Sequence, residues 1–209
     1  MRTVISSQQA SFFSKNGYIE FEGVPFDSPT LFITAKKAAD KIPFGRDLWR
    51  EEEFLRALSS HGLAPTALSL TGKSLRIACD QWVTPQSAPH QTVPCKDMFS
   101  IQGLALIAIF ASLAIESPPR RSAAPGIPPF PHSQQQILFV KPHILLDWPL
   151  LAKTKADLYI IAYALADCAV YIHNPKDPAT NALKKLGYSF GDVLQNKFHP
   201  IVIKSGLSL

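Results

Sequence analysis

The residues most able to do chemistry are the six histidines, His61, His90, His132, His143, His173 and His199. A neutral imidazole binds a transition metal, but a working site needs further imidazoles, thiolates or carboxylates converging on the same ion. His90 stands in Pro89-His90-Gln91-Thr92, a short way ahead of the chain's longest apolar block, residues 101–115. The block must be buried, so its flanks are held in place, and His90 is a candidate metal ligand. Two histidines have a carboxylate four residues on, His143 with Asp147 and His173 with Asp177. Prolines beside both pairs argue against helical register, so each reads as a turn contact. His61 falls at the end of a helical stretch, where an imidazole suits the helix dipole.

Several familiar constellations are missing from the sequence. There is no Gly-x-Ser-x-Gly elbow, no His-Glu-x-x-His and no Cys-x-x-Cys. Thr71-Gly72-Lys73-Ser74 matches the end of a phosphate-binding loop, but Ala67 stands where that loop needs its first glycine. Cys79, Cys95 and Cys168 are odd in number and widely spaced, which signals reduced thiols and a cytoplasmic protein.

The elements that must position these residues can be read along the chain. Ser6 and Gln9 form a capping box for a helix that stops at Gly17. Tyr18-Ile19-Glu20-Phe21-Glu22 alternates as a half-buried strand. Asp27-Ser28-Pro29 opens a helix that Pro43 ends. A second helix is expected over residues 47–60, with Glu51, Glu52 and Glu53 on its solvated face. Residues 67–80 read as a turn or strand followed by a strand, and residues 81–96 as irregular. The block at 101–115 is a strand or strand pair buried on both faces, or a buried helix; its periodicity does not choose. Residues 117–133 hold six prolines and read as a long loop. Strands follow at 137–140, 157–165 and 169–172, then a short helix at 179–186. Helices first and many short strands after give an α+β fold with a sandwich or barrel as its main body.

The opening Phe12-Phe13-Ser14-Lys15-Asn16-Gly17-Tyr18-Ile19-Glu20-Phe21-Glu22-Gly23-Val24 resembles the start of phytanoyl-CoA dioxygenase-like proteins, a branch of the iron(II)/2-oxoglutarate oxygenases. Further matches come in the family's order. His90-Gln91-Thr92 stands where a His-x-Asp ligand pair is expected, Ile109 to Leu113 as the core strand, and Gly191-Asp192-Val193 followed by His199 as the later signature. The resemblance implies a single domain over residues 1–209. Its fold would be a double-stranded β-helix (jelly-roll) core with N-terminal helices packed on one sheet. It makes His90 and His199 the metal ligands, with iron(II) and 2-oxoglutarate as the cofactors. Lys204, the only cation after His199, becomes the anchor for the 2-oxoglutarate carboxylate. The chain as a whole is also similar to a chlamydial protein, which brings no function with it.

Thr92 departs from this pattern. The facial triad takes two imidazoles and one carboxylate, and a hydroxyl does not balance the metal's charge. The leading expectation is therefore a degraded metal site in a non-catalytic binding or regulatory protein, with a small-molecule ligand in the barrel pocket. One alternative is an active iron(II)/2-oxoglutarate-dependent dioxygenase using His90, His199 and a displaced carboxylate such as Asp80 or Asp97. Another is a metal-responsive transcription regulator, suggested by the net charge of +5. The basic residues are scattered and the helix expected at 47–60 is acidic outside, so nucleic acid is not the expected partner. The apolar block is too short to span a bilayer.

Overall fold

The computed structural model describes residues 5–23, 26–115 and 126–206. Helix α1 (Ser7–Asn16) starts on the expected capping box and ends on Gly17, at a left-handed φ of 77°. A Cβ at Gly17 would lie 2.5 Å from the Ile144 side chain, so glycine serves both the turn and the close approach. Strand β1 (Tyr18–Glu22) and helix α2 (Ser28–Ala39) follow. The helix expected at 47–60 is broken. It is a 3₁₀ turn at Leu48–Arg50, helix α3 (Glu53–Ala57) and a π turn at Leu58–Gly62. The break has a tertiary cause, because the Trp49 amide donates to Asp80 on a neighbouring strand. Helix α4 (Ala64–Thr71) then covers residues that also read as a strand.

The sheet strands are β2 (Leu75–Val83), β5 (Leu104–Ala111), β6 (Gln136–Val140), β8 (Leu158–Leu165) and β10 (Ile201–Ile203). With β1 they form one antiparallel sheet in the order β1-β6-β5-β8-β2-β10. Two small antiparallel pairs complete the strands: β3 (Val93–Pro94) with β7 (Leu145–Leu146), and β4 (Ile101–Gln102) with β9 (Val170–Tyr171). Helix α5 (Trp148–Leu151) follows β7. The proline-rich stretch expected as a loop falls largely on residues 116–125, outside the described residues.

Both faces of the large sheet are buried, and successive side chains along a strand divide between two cores. On β8, Tyr159, Ile161 and Tyr163 face the helices and pack with Leu31, Phe32, Leu48, Trp49 and Leu55. Leu158, Ile160, Ala162 and Ala164 face the small strand pairs and pack with Phe99, Phe130, Leu146, Trp148 and Tyr171. The expected placement of the N-terminal helices on one sheet face holds. Double burial also explains the apolar block: β5 meets protein on both sides, so no polar alternation marks it. Each large apolar side chain buried this way contributes about 1.5–3 kcal/mol.

Candidate functional site

A buried polar cluster is built around Arg46. Phe44 and Asp47 both hold positive φ, 62° and 64°, and fold the chain tightly across β2. A Cβ on the intervening Gly45 would come within 3.1 Å of the Trp82 carbonyl oxygen. This turn sends the Arg46 side chain into the core, where it is 7% exposed. Its Nη1 donates to both oxygens of Asp177, at 2.8 and 2.7 Å. Its Nη2 donates to Gln81 Oε1 and to the Met98 carbonyl, both at 2.8 Å. Asp177 also accepts from the Ser100 hydroxyl at 2.7 Å and the Ala179 amide at 2.9 Å. Burial alone would weaken the guanidinium's hold on its proton, but Cys79, Asp177 and Asp47 outweigh it and raise the pKa. The expected turn contact between His173 and Asp177 is replaced by this buried pair; His173 is exposed and its ring lies 5.2 Å from Phe190.

A register shift between Ile77 and Cys79 turns Ala78 and Cys79 to the same face and sends Asp80 to the other. Asp80 is fully buried beneath the helices. One of its oxygens accepts from the Tyr159 hydroxyl and the Trp49 amide. The other is buried with no partner among the described residues. Burial pushes this carboxyl up to about 7, and nearby Asp47 adds to the rise. Asp97, the other candidate carboxylate, is paired with Lys176 at 2.9 Å.

His199 is fully buried, just ahead of β10. Its Nδ1 is 3.0 Å from the Tyr188 hydroxyl and its Nε2 is 3.0 Å from Arg50 Nη2. A guanidinium can only donate, so Nε2 accepts and the neutral ring carries its proton on Nδ1. Burial, with Arg50 and Arg76 nearby, lowers the imidazole pKa to about 3. Arg50 also donates to the Phe198 carbonyl, which fixes it across the ring. The Nε2 lone pair that a metal would use is therefore occupied by a cation. His90 and Thr92 are exposed in the loop between β2 and β3, and Lys204 is exposed after β10. The β3–β7 register pairs Val93 with Leu146. Continued by one residue, it sets Thr92 opposite Asp147, a carboxylate that here caps α5 through the Leu150 amide at 3.1 Å. Among the described residues no group of three His, Cys, Asp or Glu side chains is placed to hold a metal ion. Of the expected donors, His199 has Arg50 at its Nε2, and Thr92 carries a hydroxyl in place of a carboxylate.

Beside the cluster lies an open groove of about 470 Å³. Its floor carries Arg46, Asp47 and Arg50, and its walls include Ile42, Phe44, Ala182 and Leu186. Sequence reasoning missed both the groove and its floor. The one local signal was Pro43-Phe44-Gly45, a turn that could have been read as driving Arg46 inward.

Solved structures of non-heme alpha-ketoglutarate dependent enzymes share this fold. The carbocyclase SnoK from nogalamycin biosynthesis is 15% identical over 95% of this chain and 96% of its own, with a TM-score of 0.69. The epimerase SnoN from the same biosynthesis is 17% identical over 94% of this chain and 98% of its own, with a TM-score of 0.65. SnoN has also been solved with Fe3+, alpha ketoglutarate and nogalamycin RO. CT296 from Chlamydia trachomatis is 14% identical over 78% of this chain and 97% of its own, with a TM-score of 0.51. No protein-family model matches the chain, and no curated protein does. Among the described residues no helix is long and apolar enough to cross a membrane.

Proposed function

We propose that this chain is a non-catalytic binding or regulatory protein. In this reading it is a single domain on a double-stranded β-helix core, derived from the phytanoyl-CoA dioxygenase-like branch, and acts in the cytoplasm. The observation that carries the proposal is the capped His199. Its Nε2 lies 3.0 Å from the Arg50 guanidinium, which bonds the Phe198 carbonyl as well. Placing iron there would require expelling a fixed cation and then setting a dication in its place. Thr92 adds no negative charge, and Lys204 is an exposed single ammonium with none of the forked geometry that grips a carboxylate. The side of the sheet that a barrel pocket would occupy is filled by Phe99, Phe130, Leu146, Trp148 and Tyr171.

What these residues do instead is hold a rigid frame. Arg50 ties the C-terminal segment to the turn after α2, and Arg46 ties that turn to Asp177. Ligand recognition then belongs to the surface that this frame supports. Anaerobic calorimetric titration of the purified apo-protein with iron(II), followed by a separate incubation with iron(II) and 2-oxoglutarate in air, tests the reading. The expected result is no stoichiometric binding and no succinate from added 2-oxoglutarate. One iron bound per chain with succinate release would make the protein an active dioxygenase instead.

A further inference from the structure

A second groove, of about 480 Å³, opens beside the β4–β9 pair. Its bed is apolar and includes Ile101, Leu104, Pro142 and Ile172. The titratable side chains along it are Lys96, His173, Lys176 and a single carboxylate, Asp97. Lys96, His173 and Lys176 are exposed, so their polar atoms are open to a ligand. Asp97 is paired with Lys176 at 2.9 Å. Among the described residues Lys96 and His173 have no carboxylate partner. The groove therefore carries a net positive charge over an apolar bed.

The backbone around the groove is tied from several sides. The Lys96 amide donates to the Pro142 carbonyl at 3.0 Å, and the Ile172 amide to the Ser100 carbonyl at 2.9 Å. The Asn174 side chain donates to the carbonyls of Asp97 and Phe99, at 2.8 and 3.0 Å. The His173 ring packs against Phe190, whose other neighbours include the Lys184 ammonium at 4.5 Å from its ring. A groove held in this way pays little ordering cost when it binds. Its cations are also informative in kind. No arginine lines it, so the forked grip that suits a planar carboxylate is missing. Compact ammonium groups suit the spread charge of a phosphate.

We propose that this groove binds a phosphomonoester carried on a small, flat apolar body. The phosphate oxygens accept from Lys96 and from the His173 ring N–H, and from Lys176 once it turns away from Asp97. The apolar body lies over Ile101, Leu104 and Ile172. Asp97 opposes binding twice, because it holds Lys176 and repels the phosphate, so its removal should tighten the complex. Such a ligand deepens the binding reading given above. It uses none of His90, Thr92, His199 or Lys204, so an iron result and a phosphate result are separable.

The test is calorimetry and ligand-observed NMR on the full chain, in EDTA and low salt, with phenyl phosphate, inorganic phosphate and phenol as probes. Phenyl phosphate should bind saturably, at least about tenfold more tightly than either of the others, since each of those lacks one half of the contacts. Lys96→Ala should weaken it about three- to tenfold. Asp97→Asn should tighten it about threefold or more, an effect that salt reduces. Both side chains sit at the surface of the groove, so the variants should keep the wild-type melting temperature to within a few degrees. Lys37→Ala, on α2 across the sheet, should leave the affinity unchanged. Phenyl phosphate that binds no better than inorganic phosphate would overturn the proposal. So would an affinity indifferent to Lys96→Ala, lowered by Asp97→Asn, or lowered as much by Lys37→Ala. Iron bound in a separate titration without EDTA would change the functional reading and leave these affinities as they are.

Discussion

Replacing Asp80 by Asn should change how stability depends on pH, in a direction the structure fixes. The carboxyl is fully buried and its pKa rises from the usual 3.8 to about 7, first through burial. Between those values the unfolded chain has released a proton that the native chain still holds. Stability contributed by Asp80 is therefore present below pH 3.8 and is lost as pH rises through about 7. At about 1.4 kcal/mol for each tenfold change in proton affinity, the loss is ~4 kcal/mol. His199 works the other way. Its pKa falls from 6.5 to about 3, so its contribution is present above pH 6.5 and is lost on acidification. Over the shared acidic window the two slopes offset, and the wild-type curve alone says little. The informative quantity is the stability of Asp80→Asn minus that of wild type, from urea melts at several pH values. The Asn carbonyl still accepts from Tyr159 and Trp49, while its amide group replaces an oxygen with no partner among the described residues. The unpaired amide costs about 1–3 kcal/mol, so the variant starts below wild type near pH 4. The difference should then rise by ~4 kcal/mol by pH 8. A difference flat to within about 1 kcal/mol across that range would refute the assignment of a protonated buried carboxyl.

Other outcomes follow from the same geometry. Asp177→Ala removes the carboxylate that Arg46 bonds directly and should cost about 3–5 kcal/mol in urea melts, whereas Arg46→Met with Asp177→Leu should recover most of it. His199→Gln should remove the loss of stability on acidification below pH 6.5, seen as a melting temperature less sensitive to acid than wild type. Gly17→Ala must accept a φ of 77° and a Cβ at 2.5 Å from Ile144, and should lower stability by about 1–3 kcal/mol in thermal melts.

Local signals carried much of the fold. The Ser6–Gln9 capping box, the Gly17 stop and the alternation of β1 are all decided by residues within a few positions of one another. The stretch at 47–60 misled because its helical spacing is real. What breaks it is the demand of Asp80 for the Trp49 amide, 31 positions away. The apolar block left strand and helix open because burial on both faces erases the polar half of the pattern. Arg46 and Asp177 lie 131 residues apart, and neither carries a mark of the other. The histidines show the same limit from the other side. His199 was legible as a special residue, but the cation that occupies it comes from a turn in the N-terminal half.

The strand order also bears on how the chain comes off the ribosome. Strand β2, in the first half of the sequence, has β8 and β10 as its sheet neighbours, and among the described residues β1 pairs with β6 alone. The helices are thus synthesised well before the sheet that buries them. The gap from Val83 to Leu158 is about 75 residues, or roughly 4–15 s of translation. Through that interval Leu31, Phe32 and Leu55 have no β8 to pack against. Sheets assembled from such distant strands fold slowly, in milliseconds to seconds even when the chain is complete. The nascent N-terminal half is therefore the stage at which aggregation or chaperone capture should concentrate.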